Sequence, residues 1–86
     1  MKSDEVIVAD EAGLHARPAS MLVKSAKLYT SDVSIEYQGK AANAKSIMAL
    51  MKLGVKGKAK VRITAQGEDE EIAVTELVKA IESNFK

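Results

Sequence analysis

The sequence predicts an α+β fold in which helices cover one face of a β-sheet. Several segments alternate apolar and polar residues with the period of two that is typical of half-buried strands, and three others have helical spacing. Their order is β-α-β-β-α-β-α. The 86 residues are the size of one domain, residues 1–86, and 47% of them are hydrophobic. The pattern leaves the strand order open, and a ferredoxin-like arrangement fits it almost as well.

The chain is predicted to begin with a strand and a helix. The apolar run over residues 6–9 predicts the strand, and the polar turn after it ends at Gly13. Residues 18–28 have the apolar spacing of a helix with two unlike faces. We expect four residues of this helix to face the core: Ala19, Leu22, Val23 and Ala26.

A hairpin is predicted to follow this helix. Residues 33–37 alternate apolar and polar side chains, which indicates a half-buried strand. Gln38 and Gly39 suit a tight turn because glycine readily adopts positive φ, and this turn leads into a short strand over residues 40–43.

The second half is predicted to contain two helices and a strand. Ser46 is a suitable N-cap for a short helix over residues 47–53, which Gly54 would end. Alternation over residues 59–65 predicts a strand, and a last helix is expected over residues 69–85. Five residues form the apolar face of that helix: Val74, Leu77, Val78, Ile81 and Phe85.

Composition excludes several classes of function. The formal net charge is +1 and there are only three aromatic residues, so direct nucleic-acid binding is not expected. One histidine and no cysteine argue against a zinc site, and no cofactor is expected. No run approaches the roughly 20 apolar residues of a membrane helix, and the N-terminus lacks the pattern of a signal peptide. We therefore expect no membrane insertion and a cytoplasmic location.

The only histidine, His15, lies in the segment Gly-Leu-His-Ala-Arg-Pro-Ala just ahead of the first predicted helix. Pro18 is favoured in a first helical turn, and the free N–H groups of Ala16 and Arg17 suit an anion such as phosphate. An imidazole placed there can accept a phosphoryl group and pass it on. The Arg17 guanidinium matches the phosphate oxygens and is the expected partner. A lone histidine is more often a surface residue without chemistry, but this setting favours the functional interpretation.

Two motifs, Gly13-Leu14-His15-Ala16-Arg17-Pro18-Ala19-Ser20 and Lys45-Ser46-Ile47-Met48, resemble the HPr family of histidine-containing phosphocarriers of the bacterial phosphotransferase system. The similarity extends over the whole chain. It implies an open-faced sandwich with a four-stranded antiparallel sheet and three helices, and a carrier rather than an enzyme. It also implies that enzyme I, charged by phosphoenolpyruvate, phosphorylates His15 on Nδ1. Sugar-specific IIA domains would then receive the phosphoryl group.

Ser46 has two interpretations. Serine is among the best N-caps and needs no further role at the start of a helix. The serine motif resembles the version found in low-GC Gram-positive bacteria, which implies that HPr kinase/phosphorylase modifies Ser46. The phosphoserine form would then act with catabolite control protein A in carbon catabolite repression.

A docking surface for these partners is expected beside His15. Methionine is common on adaptable binding surfaces, and lysines near the phosphorylated residue would attract acidic partners. The surface is predicted to comprise Leu14, Ser20, Lys24, Lys27, Lys45, Ile47, Met48 and Met51. A monomer is expected. Two alternatives stay open: a nitrogen-type phosphotransferase carrier, and a purely regulatory paralogue, which in this family lacks the histidine.

Overall fold

The computed structural model describes residues 1–85 and has the predicted order of elements. These are β1 (Lys2–Ile7), α1 (Ala16–Ala26), β2 (Asp32–Tyr37), β3 (Lys40–Asn43), α2 (Ile47–Leu53), β4 (Lys60–Gln66) and α3 (Glu70–Glu82). The four strands form one antiparallel sheet in the order β1-β4-β2-β3. The predicted α+β open-faced sandwich is confirmed, and the strand order that the pattern left open is now known.

The helices pack on one face of the sheet. α3 contacts β1 and β4, α2 contacts β3, and α1 packs against both other helices. Strand side chains that face the helices are buried with those of the helices in a single core, whose largest members include Leu22, Ile35, Leu50, Ile63 and Leu77. None of the helices formed by residues 1–85 is long and apolar enough to cross a membrane.

The first strand lies earlier than the prediction of residues 6–9. β1 pairs with β4 from Lys2 opposite Ala65 to Ile7 opposite Lys60. Backbone hydrogen bonds to β4 hold this strand at the edge of the sheet. Its first four residues are polar and exposed, so the hydropathy of the sequence did not indicate a strand there. Val8 is buried and bonds to the backbone of Ala59, at 2.9 Å, after the strand has ended.

The first and last helices are shorter than predicted at their C-terminal ends. α1 begins at Ala16 and ends at Ala26, and Leu28 is exposed because it lies beyond the face that packs on the core. α3 ends at Glu82 rather than at residue 85. Asn84 and Phe85 have positive φ, and the Phe85 N–H donates to the carbonyl of Ala80, at 2.7 Å, which closes the helix end.

The other predicted helix faces and turns are observed. Ala19, Leu22, Val23 and Ala26 are buried on α1, and the apolar face of α3 packs on the core with Val78 and Phe85 only partly buried. Gln38 and Gly39 both have positive φ, which is the geometry of a tight hairpin turn. α2 is capped by Ser46 and ends at Gly54 in the left-handed conformation, as predicted.

Candidate functional site

The loop that carries His15 is held against the segment before β4. Gly13 has a φ of +81°, and a Cβ atom there would lie 2.1 Å from the carbonyl oxygen of Val55. That same oxygen accepts a hydrogen bond from the Leu14 N–H at 3.1 Å. Only glycine fits this close approach, and the position of the loop fixes where His15 enters α1.

His15 is the N-cap residue of α1, and its imidazole is 45% exposed. The ring makes no capping hydrogen bond within the described chain, and Pro18, in the first turn, has no N–H. Helix geometry leaves the N–H groups of Ala16 and Arg17 without intrahelical acceptors. An accessible ring therefore lies at a helix start whose free amides and partial positive charge favour an anion.

Asp10 contacts the histidine ring. Its Oδ2 lies 3.4 Å from His15 Nε2, while its Oδ1 accepts the Ala12 N–H at 2.8 Å. The hydrogen bond from Ala12 is the main reason that the pKa of Asp10 lies below its usual value, and the contact with His15 lowers it further. An ionised carboxylate thus faces Nε2, and Nδ1 is the ring nitrogen outside this contact.

Arg17 is exposed in the first turn of α1 and lines a cleft of about 160 Å³. The other residues that line this cleft are Asp10, Pro18, Met21, Asn84 and Phe85. Asn84 and Phe85, which follow α3, therefore form one wall of the cleft next to the His15 loop. Residues 1–85 contain no group of three or more His, Cys, Asp or Glu side chains placed to hold a metal ion.

Ser46 caps α2 through its hydroxyl oxygen, which accepts the Ala49 N–H at 3.3 Å. The side chain is half-buried. α2 packs against α1, the helix that begins at His15. The capping role proposed from the sequence is thus observed, and phosphorylation remains a prediction.

Part of the predicted docking surface is exposed. The exposed fractions are 39% for Ile47, 67% for Met48 and 46% for Met51, and with Lys52 these residues line a shallow apolar groove of about 280 Å³. The helix is short, and only Leu50 on it is buried. On α1, Lys24 and Lys27 are exposed and Ser20 is half-buried. The two methionines are thus exposed, and their role in docking remains a prediction.

Two members of the predicted surface have other positions. Leu14 is only 4% exposed and belongs to the core, so its inclusion in an exposed docking surface is wrong. The backbone of this apolar loop residue is bonded to Val55, and its side chain is buried with the core. Lys45 is half-buried, and its Nζ donates to the Tyr29 carbonyl oxygen at 2.8 Å, so it ties two loops together.

Sequence reasoning missed the contact of Asp10 with His15. In the sequence, Asp10 is distinguished only as part of the polar turn after the first predicted strand. The available signal was its position: an Asp two residues before an alanine N–H, followed by glycine, is typical of an Asx turn, which folds the chain back on itself. Asn84 and Phe85 were missed as neighbours of the site because a straight helix to residue 85 would have carried them away from it.

Comparison with known proteins agrees with this geometry. Residues 2–83 match the family described as PTS-HPr, "PTS HPr component phosphorylation site". The structure resembles HPr-C-His from Thermoanaerobacter tengcongensis (TM-score 0.94, 44% identity, 99% of this chain and 96% of that one covered). It also resembles a phosphocarrier protein HPr from Bacillus anthracis (TM-score 0.88, 38% identity, 93% and 95% covered). A third similar structure is the Crh protein of Bacillus subtilis, an intertwined, swapped dimer (TM-score 0.76, 45% identity, 99% and 97% covered).

Proposed function

The chain belongs to the PTS HPr family of phosphocarriers, and from that membership we propose that His15 carries the phosphoryl group. It accepts the group from phosphorylated enzyme I and passes it to sugar-specific IIA domains in the cytoplasm. The protein is a carrier and not an enzyme, since the group stays on the protein until a partner removes it. The observation that supports this most is the exposed imidazole at the start of α1.

The start of α1 stabilises the phosphorylated histidine only moderately. The Ala16 and Arg17 amides and the helix dipole contribute about 0.3–1 kcal/mol toward an exposed anion. The Arg17 guanidinium adds hydrogen bonds to the phosphate oxygens, a geometry that arginine matches well. Because the site is open, these contacts hold the phosphoryl group without preventing its transfer to the next protein.

The test is to incubate the purified protein with phosphoenolpyruvate and enzyme I and to locate the acid-labile phosphate by peptide mapping. We expect one phosphate on His15 and none on His15→Ala. Arg17→Ala should keep the fold, because its side chain is exposed, and should accept phosphate more slowly. Lys40→Ala, which removes an exposed cation from β3, serves as a control. Phosphate at any other residue in the wild-type protein would contradict the proposal.

The docking surface that we propose for enzyme I and the IIA domains combines the exposed apolar residues of α2 with the cations of α1. Ile47, Met48 and Met51 supply apolar area, and Lys24 and Lys27 supply positive charge on the helix that begins at His15. An apolar centre with a basic rim suits partners with acidic surfaces. Met48→Ser should weaken enzyme I binding, measured by titration calorimetry, while leaving the unfolding temperature near that of the wild type.

Phosphorylation of Ser46 by HPr kinase/phosphorylase is proposed as the regulation of this transfer, with catabolite control protein A as partner of the phosphoserine form. The proposal is supported by the position of Ser46 at the N-terminus of α2, where a phosphate is compatible with the helix. It also lies directly before Ile47 and Met48, so two added negative charges would repel an acidic partner at the docking surface. Incubation with the kinase and ATP, followed by mass spectrometry, tests the site.

A purely regulatory role is the second candidate, since Crh is among the similar structures. His15, absent from the regulatory paralogues, favours the carrier. A strain carrying His15→Ala discriminates between the two roles. Loss of sugar uptake supports the carrier, whereas normal sugar uptake together with loss of catabolite repression supports a purely regulatory role.

A nitrogen-type carrier would lack a response to the Ser46 kinase. We propose a monomer, and sedimentation equilibrium tests it against a dimer, the state of the similar Crh protein.

A further inference from the structure

We propose that Asp10 is a positioning residue for His15: its carboxylate holds a proton on Nε2 and thereby leaves the lone pair of Nδ1 free to accept the phosphoryl group. The inference rests on the proposed function, since it concerns how His15 is prepared for transfer. It adds a residue that lies outside both sequence motifs that indicate the family.

The two carboxylate oxygens of Asp10 have separate partners. Oδ1 is held by the Ala12 N–H at 2.8 Å, and the backbone carbonyl of Asp10 accepts the Gly13 N–H at 3.1 Å. These two bonds fix the turn and direct Oδ2 toward His15 Nε2, at 3.4 Å. The backbone turn therefore orients the carboxylate toward the ring, and the Asn84 side chain also interacts with it.

This contact selects one tautomer of the imidazole. An ionised carboxylate only accepts hydrogen bonds, so a neutral ring facing it gains a bond when Nε2 carries the proton. The remaining nitrogen, Nδ1, then has a lone pair and is the nucleophile. At 3.4 Å the two atoms are slightly beyond an ordinary hydrogen bond. Hydrogen bonds of this kind are often long in the free protein and shorten when the reacting partner binds.

The same contact stabilises the ring during transfer. The Nδ1 lone pair forms the new N–P bond, while the bond between phosphorus and the donor breaks and its electron pair returns to the donor. The proton on Nε2 stays in place. As the N–P bond forms, the ring becomes positive, and the Asp10 carboxylate at the opposite nitrogen stabilises that charge. Arg17 lines one cleft together with Asp10.

Two variants separate positioning of the ring from formation of the turn. Asp10→Asn keeps an oxygen for the Ala12 N–H and must then present its NH₂ group to Nε2, which favours the proton on Nδ1. Asp10→Ser keeps an acceptor for the turn but does not reach the ring. Asp32→Asn, at the exposed start of β2, is the control, because it makes the same change in net charge away from the cleft.

The measurements are the rate of phosphate transfer from enzyme I and the ¹⁵N chemical shifts of the two ring nitrogens at a pH where the ring is neutral. We expect both Asp10 variants to transfer phosphate about 3- to 10-fold more slowly, the range of one hydrogen bond at an exposed site. Asp10→Asn should also increase the share of the Nδ1–H tautomer. Asp32→Asn should match the wild type in both measurements.

Wild-type rates in both Asp10 variants would overturn the inference, as would slow transfer with an unchanged tautomer ratio. A wild-type ring protonated mainly on Nδ1 would overturn it without any variant. The tautomer is measured on the unphosphorylated protein, so this result stands even if His15 is shown not to carry phosphate. Failure of the proposed function is thereby distinguished from failure of the positioning role.

Discussion

Replacement of Gly13 by alanine tests whether close packing of the loop determines the position of His15. We expect two separate effects to lower the free energy of unfolding. An L-residue at a φ of +81° costs about 1–2 kcal/mol. The added Cβ would also lie 2.1 Å from the Val55 carbonyl oxygen, a backbone atom that cannot move away without breaking its bond to Leu14. Overpacking of this kind typically adds about 1–3 kcal/mol.

Gly39→Ala is the matched control for this experiment. Gly39 has a φ of +79°, nearly that of Gly13, but a Cβ atom there would meet nothing within 4 Å. The control therefore measures the conformational cost alone, about 1–2 kcal/mol. The difference between the two variants isolates the steric contact with Val55, and we expect it to be at least about 1 kcal/mol.

The assay is urea unfolding of both variants and the wild type, followed by phosphate transfer from enzyme I to the folded proteins. In a domain of this size, about 1 kcal/mol also shifts the unfolding temperature by roughly 4–8 °C, which gives an independent reading. Gly13→Ala should transfer phosphate more slowly because the loop before His15 is displaced, whereas Gly39→Ala should transfer at the wild-type rate. Equal losses of stability in the two variants would refute the packing argument.

Two further predictions concern serine residues. Ser46→Ala should destabilise the protein by about 0.5–1 kcal/mol because the hydrogen bond from the Ala49 N–H to the Ser46 side chain is lost. Ser46→Asp keeps an N-cap, so it should unfold near the wild-type temperature, but it should accept phosphate more slowly from enzyme I. Equal transfer rates of Ser46→Asp and the wild type at low salt would contradict the regulatory proposal. Ser31, which is buried, donates its hydroxyl and its N–H to the Asp69 carboxylate, and this hydroxyl is the main reason that the pKa of Asp69 lies below its usual value. A lowered pKa in the folded state stabilises the protein above the unfolded pKa of about 3.9, and that contribution is lost as the pH falls through the folded value. Ser31→Ala should therefore lower the unfolding temperature at pH 7 and weaken its dependence on acid. The same change of unfolding temperature from pH 7 to pH 2 in both proteins would contradict this.

The parts of the fold with strong periodicity were predicted well. The alternation of residues 33–37, the turn at Gln38 and Gly39, and the capped helix that begins after Ser46 all appear where the pattern indicated. Each depends on a local preference of a few consecutive residues. β1 was misplaced because its residues are mostly polar and its pairing with β4 joins parts of the chain that are distant in sequence. The end of α3 was misplaced because Phe85 is apolar and has the spacing of the helix's apolar face. In the structure the helix ends at Glu82, and Asn84 and Phe85 have positive φ and are not helical.

The candidate site divides in the same way. Residues adjacent to His15 along the chain, such as Arg17 and Pro18, could be assigned from the sequence because the start of a helix imposes their positions. The contacts of Leu14 and Lys45 could not, since both depend on backbone carbonyls in other loops. An apolar loop residue is compatible with an exposed docking surface or with the core, and only packing decides between them.

The sequence alone determined that a histidine stands at the start of a helix, with an arginine in the first turn of that helix and a second capped helix later in the chain, because capping and periodicity act between neighbouring residues. The tertiary structure decided the strand order, the burial of Leu14 and the contact of Asp10 with the histidine ring. These depend on how a turn and a loop are held in space by hydrogen bonds to distant backbone atoms. Such contacts leave no periodic trace in a single sequence.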